Sequence, residues 1–218
     1  MAIQKNGPLG PFSGKLGKVI GYVDKRGQQR LRTVGSYNFD NPSNALKETW
    51  LKTSITAVFL KPVLEFIRMG FAVQANAMRT SAYHLAVSLT RKAVTGKFPD
   101  LQIDFSKILF SAGDMPVVEH AEVINIEEGL MFTWDTTANR EHGTRPSDLV
   151  MLMAYIPEIK KAIFLRSGPS RSQGYAYLTL PHIVQKLTLE TYISFISEDH
   201  KSISNSLYTG QVNWGGPQ

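Results

Sequence analysis

Near residue 100 the apolar residues of this chain change their spacing. In "DLQIDFSKILF" Leu101, Ile103 and Phe105 alternate with Gln102 and Asp104, a period of two in place of the helical spacing before it. Seven further strand-like runs follow, near 119–126, 129–135, 149–156, 161–167, 174–180, 189–196 and 203–213, most of them divided by turn-forming stretches such as "EEG", "SGPSRSQG" and "SEDHK". Short strands this frequent, with no helical pattern between them, predict an α+β chain whose C-terminal half is an immunoglobulin-like or fibronectin-like β-sandwich. Trp134 stands where such domains often place a core aromatic in an early strand, and Tyr192 falls in the penultimate strand. The inward side of "LETYISFI" is open between Thr191, Ile193 and Phe195 on one face and Tyr192, Ser194 and Ile196 on the other.

The first hundred residues read differently. "KVIGYV" and "QQRLRTV" are β-prone runs joined by "DKRG", which predicts a hairpin. Ser43 is the predicted N-cap of a helix running to about Leu60 through Leu46, Trp50 and Leu51. Pro62 lacks the amide that would bond into the preceding turn, so a kink or a second segment through "VLEFIRM" is expected. In "NAMRTSAYHLAVSLTRKAVTG" Met78, Ala82, Leu85, Ala86, Leu89 and Ala93 recur at helical spacing, with Gly96 as the expected stop. Arg79, His84, Arg91 and Lys92 fall near the polar face of that helix, and Trp50, Phe59 and Phe66 are expected in the core. The expected division is 1–100, a basic hairpin arm with helices, and 101–218, the sandwich.

Charge follows the same division. Residues 1–100 carry 15 Lys/Arg against 5 Asp/Glu, whereas 101–218 carry 9 against 13, so the formal +6 of the whole chain averages two unlike halves. Lys15, Lys18, Lys25, Arg26, Arg30 and Arg32 all lie in the hairpin arm. Cations on a hairpin can neutralise nucleic-acid phosphates, with Phe12, Tyr22 and Tyr37 as stacking faces. The same cations also suit an arm that docks on the acidic surface of a neighbouring subunit, or a solvated strand face.

Several chemistries lack their residues. The chain has no cysteine, which removes disulfides and thiol catalysis. The five histidines are scattered without metal-binding spacing, and no nucleophile elbow is present. "GPLGPFSGKLGKVIGY" superficially resembles a phosphate-binding loop. Yet Gly10 and Gly14 are too close, Lys15 is followed by Leu16, and a strand rather than a helix comes next. Its glycines read as turn and close-contact positions. "REHGTRPSD" gathers Arg140, Glu141, His142, Arg145 and Asp148 within the long 135–148 loop, which leaves an anion- or sugar-acting enzyme as a lesser reading. The apolar run "LVMLMAYI" is too short to span a membrane, and the N-terminus lacks the apolar segment of a secretory signal. A cytoplasmic or virion-associated protein is expected.

Three stretches, "NGPLGPFSGKLGKVIGY", "FLKPVLEFIRMGF" and "ISFISEDHKSISNSLYTG", resemble an uncharacterised protein family common in Bacteroidota genomes. The resemblance runs over nearly the whole chain. It implies a glycine-rich opening, a basic hairpin, two helices, a β-rich C-terminal half, and bacterial or phage origin, with no activity or catalytic residue attached. The segment "GSYNFDNPSNALKETW" is less basic than the resemblance implies. The expected role is a non-enzymatic structural or assembly subunit that contacts itself or other proteins through its basic arm and helices, without cofactor, metal or small-molecule ligand. A nucleic-acid-binding module using the hairpin is the alternative.

Overall fold

The computed structural model describes residues 2–4, 7, 10–35, 41–118, 120–136 and 144–215. It divides the chain into two units, Met1–Lys47 and Glu48–Gln218. The boundary expected near residue 100 falls instead inside a strand of the second unit.

The first unit is an antiparallel sheet of four strands in chain order: β1 (Ile3–Gln4), β2 (Phe12–Leu16), β3 (Val19–Val23) and β4 (Gln29–Thr33). The expected hairpin is β3–β4, in register from Val19↔Thr33 to Val23↔Gln29. Its turn is set by Asp24, whose Oδ1 accepts the amides of Arg26 and Gln28, each at 2.9 Å. β1 and β2 add two strands to the expected pair, because the glycine-rich opening folds as strand.

Four helices follow: α1 (Asn44–Leu60), α2 (Leu64–Gly70), α3 (Ala72–Ala77) and α4 (Ala82–Lys92). Ser43 Oγ accepts the Leu46 amide at 3.3 Å, as an N-cap does. Pro62 sits in a 3-10 turn, Lys61–Val63, that separates α1 from α2. The helix expected as one piece across 76–96 is divided. Residues 78–81 break it, Arg79 adopts φ 51°, and Ser81 caps α4 by accepting the His84 amide. Met78, expected in the core, is 56% exposed in that break. Gly96 does not stop the helix; it lies in β5 (Val94–Lys97), paired with β6 (Asp100–Ile103). The expected strand through Phe110 ends at Ile103, where a 3-10 turn, Phe105–Lys107, begins at Asp104.

Seven strands complete the second unit: β7 (Glu122–Ile126), β8 (Gly129–Thr133), β9 (Leu149–Ile156), β10 (Lys161–Leu165), β11 (Tyr175–Thr179), β12 (Leu187–Ile196) and β13 (Leu207–Trp214). They form two antiparallel sheets, β10-β9-β12-β13 and β11-β8-β7. All seven expected runs are strands, within a few residues of the expected bounds.

The four-stranded sheet is buried on both faces. Val150, Leu152 and Ala154 of β9 and Leu189, Ile193 and Phe195 of β12 face the three-stranded sheet, where they share a core with Leu130, Phe132, Ala176 and Leu178. Met151, Met153 and Tyr155 of β9 and Tyr192 and Ile196 of β12 face the helices instead, sharing a second core with Phe59, Phe66 and Ile67. The two sides of "LETYISFI" therefore do not compete; both are inward. Aromatic edges lock the helical layer, with Phe59 4.7 Å from Tyr155, Phe110 4.6 Å from Tyr192 and Phe66 5.7 Å from Phe164. Trp50, expected in the core with Phe59 and Phe66, is 44% exposed. Among the described residues no helix is long and apolar enough to cross a membrane.

Because one sheet serves both cores, the second unit should unfold as one body. Phe66→Ala on the helix side and Phe132→Ala on the other side should each cost about 3–5 kcal/mol. Both should move a single urea transition followed by tyrosine fluorescence and by far-ultraviolet dichroism. Separate transitions for the two probes would contradict the shared sheet.

Candidate interaction surfaces

Alternation along the strands sorts the first unit into two faces. The register places Lys15 opposite Ile20 and Ile20 opposite Arg32, forming one row across three strands; Tyr22 and Arg30 form the next row on the same face. The other face carries Phe12, Leu16, Val19, Val23 and Leu31. Gly21 lies on that apolar face, where a Cβ would run into the Phe12 ring. Sequence reasoning grouped Phe12 with Tyr22 as stacking faces for one ligand; the sheet puts them on opposite sides. Tyr37 and Lys5 lie outside the described residues.

All six candidate contacts are exposed: Lys15, Lys18, Lys25, Arg26, Arg30 and Arg32. The sheet brings Lys15, Arg30 and Arg32 onto one face. Lys18 lies in the β2–β3 turn, and Lys25 and Arg26 in the β3–β4 turn. Arg30 is already engaged, with its Nε 3.1 Å from Asp24 Oδ2 and an Nη 2.8 Å from Gln28 Oε1. Hydrogen bonds from the Gln28 amide and from Arg30 hold the Asp24 carboxyl below its usual range. Lys15 and Arg32 make no ion pair among the described residues.

The apolar face was the feature that sequence reasoning missed. Leu16 is 64% exposed and Leu31 61% exposed, and Gly21 is the one buried residue among the described residues of this unit. The signal was available in "FSGKLGKVIGYV" and "QRLRT", where apolar and polar residues alternate, but the lysines and arginines drew the reading to charge. The unit holds eight Lys/Arg and two Asp/Glu, whereas residues 48–218 hold sixteen of each, so the formal excess of +6 lies wholly in the first unit.

The 135–148 loop was the candidate for chemistry, and Arg140, Glu141 and His142 lie outside the described residues. Its described end is anchored by Asp148, which is 1% exposed and accepts the Arg145 amide at 2.7 Å. Burial pushes the Asp148 carboxyl up, against the pull of the Arg145 amide and the Arg171 charge. Arg171 is 3% exposed, hydrogen-bonds the Pro116 carbonyl through both Nη atoms and lies 4.5 Å above the Phe195 ring, and burial lowers its pKa. Asp199, beside them, is pulled down by hydrogen bonds from Ser197 Oγ and the Lys201 amide. These carboxylates hold backbone turns. A second polar cluster lies on the helix side of the central sheet, where buried Glu190 accepts from Tyr208 Oη at 2.6 Å and Gln211 Nε2 at 3.0 Å. Burial and the neighbouring Glu190 raise the Tyr208 and Tyr192 phenols. Among the described residues no group of three or more His, Asp or Glu could hold a metal ion.

A family model described as "Family of unknown function (DUF6266)" matches residues 11–210. The chain belongs to this family. No curated protein and no solved structure matches it. The matched segment of this DUF6266 chain begins just before β2 and ends within β13, so it takes in three strands of the first sheet and nearly all of the second unit.

Asp148 carries a pH signature. Its folded carboxyl holds its proton above the ordinary value of 3.8, so the unfolded chain releases that proton first as pH rises. In that window the unfolded state binds fewer protons, and this group's contribution to stability falls with rising pH. Asp148→Asn should remove that fall. Comparison of urea midpoints of the two proteins between about pH 4 and 7 isolates the difference; an unchanged pH slope would count against the upward shift of the Asp148 carboxyl.

Proposed function

We propose that the protein is a non-enzymatic assembly subunit whose N-terminal sheet is completed by contact with another protein molecule. The observation that carries this reading is the sheet's lack of an interior. A sheet with one apolar face must bury that face against something, and a unit as small as Met1–Lys47 buries too small a share of its surface to be more than marginally stable by itself. Here four strands present Leu16, Val23 and Leu31 outward on one side and cations on the other. A partner that covers the apolar face supplies the missing layer.

The second unit supports the same reading. Labelled A to G in chain order, strands β7 to β13 put A, B and E in one sheet and D, C, F and G in the other. We read this order as the immunoglobulin-type pattern with the fourth strand moved beside the third, as in the fibronectin-like variants of that sandwich. Such domains commonly present surfaces for association, although fold alone does not fix function. The bacterial or phage origin implied by the resemblance, and the virion association expected from the sequence, belong with this reading.

Light scattering over a range of protein concentrations should find species above the monomer mass. Leu16→Ser and Leu31→Ser each remove an apolar side chain worth about 1.5–3 kcal/mol when buried. Each should therefore weaken association about tenfold or more. A strict monomer at every concentration, with no partner retained on native purification, would overturn the assembly reading.

A nucleic-acid reading has one favouring observation, the row of Lys15 and Arg32 flanking Ile20 beside the exposed Tyr22. Titration of a labelled single-stranded oligonucleotide at 50 and 200 mM salt decides it. Binding that weakens by a large factor across that range, and is lost in Lys15→Ser/Arg32→Ser, would move the function there. No binding at the lower salt would remove it.

A further inference from the structure

The outer face of the β11-β8-β7 sheet turns away from the shared core and carries two exposed tyrosines. Outward positions fall in rows: Glu122, Thr133 and Tyr175 in one, Ile124, Met131 and Tyr177 in the next. Tyr175 is 41% exposed, Tyr177 52% and Ile124 49%, and the two tyrosine rings meet edge to face with centroids 5.6 Å apart. In the third row Gly129 stands between Ile126 and Thr179. A Cβ there would collide with the Leu178 carbonyl, so the row has no central side chain. The gap forms part of a hollow of about 350 Å³ bordered by Glu128, Ile126, Tyr177 and Thr179. The outward positions of the three strands include one charge, that of Glu122, and Glu127 and Glu128 stand exposed in the β7–β8 turn.

We propose that this face is the docking surface for the basic face of the N-terminal sheet of a second copy, with one of its cations, Arg32 or Lys15, seated in the hollow between Glu128 and Tyr177. The inference rests on the assembly reading and adds to it a partner for the basic face, opposite the apolar face on which that reading stands. Three properties match. The donor face carries Lys15, Arg32 and the Asp24-paired Arg30, whereas the acceptor face carries Glu122 and no base in its rows, with Glu127 and Glu128 in the adjoining turn. Arg32 and Lys15 have no ion pair among the described residues to give up, and a guanidinium or ammonium against a tyrosine ring and a carboxylate gains from both. The pitch also agrees. The row of Lys15, Ile20 and Arg32 spans β2, β3 and β4, so Lys15 and Arg32 lie two strands, about 10 Å, apart, as do Glu122 and Tyr175. Ile20 and Met131 occupy the central strands. The contact joins unlike patches, so it propagates head to tail into a ring or a filament and is not confined to a pair.

Charge exchange between two variants tests this. Lys15→Glu/Arg32→Glu should be unable to self-associate, because an acidic donor meets an acidic acceptor. Glu122→Lys/Glu128→Lys should fail in the same way with basic faces. An equimolar mixture places each altered face opposite its complement, and light scattering should recover assemblies in the mixture that neither variant forms alone. Tyr177→Ser, at an exposed strand position, should weaken wild-type association about tenfold or more without shifting the urea midpoint. If the wild type associates while Tyr177→Ser and both charge variants associate equally well, this face is not the interface, although the assembly reading stands. If both charge variants are monomeric and the mixture stays monomeric, the pairing is wrong. A wild-type protein that is monomeric throughout removes this inference, and if it also retains no partner on native purification the assembly reading falls with it.

Discussion

The four-stranded sheet β10-β9-β12-β13 must be covered on both faces, and the second unit is organised by that need. β9 is buried from Val150 to Ile156, and β12 is buried along nearly its whole length. A strand buried on one side only alternates apolar with polar residues, whereas one buried on both sides reads as a continuous apolar run. One layer against this sheet is the β11-β8-β7 sheet, and the other is the helices. Tyr192 shows how the second layer is fixed. Its ring packs against Phe110 and its hydroxyl donates to the Phe105 carbonyl at 2.8 Å, which ties the central strand to the segment leaving β6. Phe110 is in turn held by Ser206 Oγ, which accepts its amide at 2.8 Å.

Much of this was legible in the amino-acid sequence, and the failures have physical causes. The seven strands were readable because each alternates or runs apolar between turn residues. The N-caps Ser43 and Ser81 illustrate the limits of such signals. Ser43 was recognised because it precedes a new helix, whereas Ser81 lies inside a stretch whose helical spacing continues through the break on both sides. The boundary near residue 100 was drawn where the apolar period changes. That change reports a switch from helix to strand and carries no information about packing, so helices and sheet that share a core were assigned to separate bodies. The run "LVMLMAYI" held the missing information, since Met151, Met153 and Tyr155 are more apolar than a solvated outer face allows.

The first unit was misjudged for a different reason. Its cations are conspicuous in a one-dimensional reading, but pairing register decides what they do. Register puts Lys15 and Arg32 on either side of Ile20, ties Arg30 to Asp24, and sends Phe12 to the opposite face. The excess positive charge is therefore a property of one side and the turns of a small sheet. Its other side is apolar and uncovered, a feature that charge counting does not register.

These two constraints oppose each other in a way that bears on function. The second unit satisfies its apolar demand internally and carries balanced charge, sixteen groups of each sign. The first unit satisfies neither demand: it has no buried side chain beyond a glycine among its described residues, and it holds the whole charge excess. A chain under selection for stability alone gains nothing from four strands whose leucines face water, because each such side chain forgoes the burial that stabilises a sheet. On the proposed function, contact with a separate molecule resolves the conflict on both sides of the sheet. The apolar face gains a cover, and the basic face gains a direction of approach, since electrostatic complementarity sets orientation and encounter rate more than affinity. A doubly buried sheet also suits the proposed function, because a surface that recruited partners by charge and exposed tyrosines would need a support that does not deform when they bind.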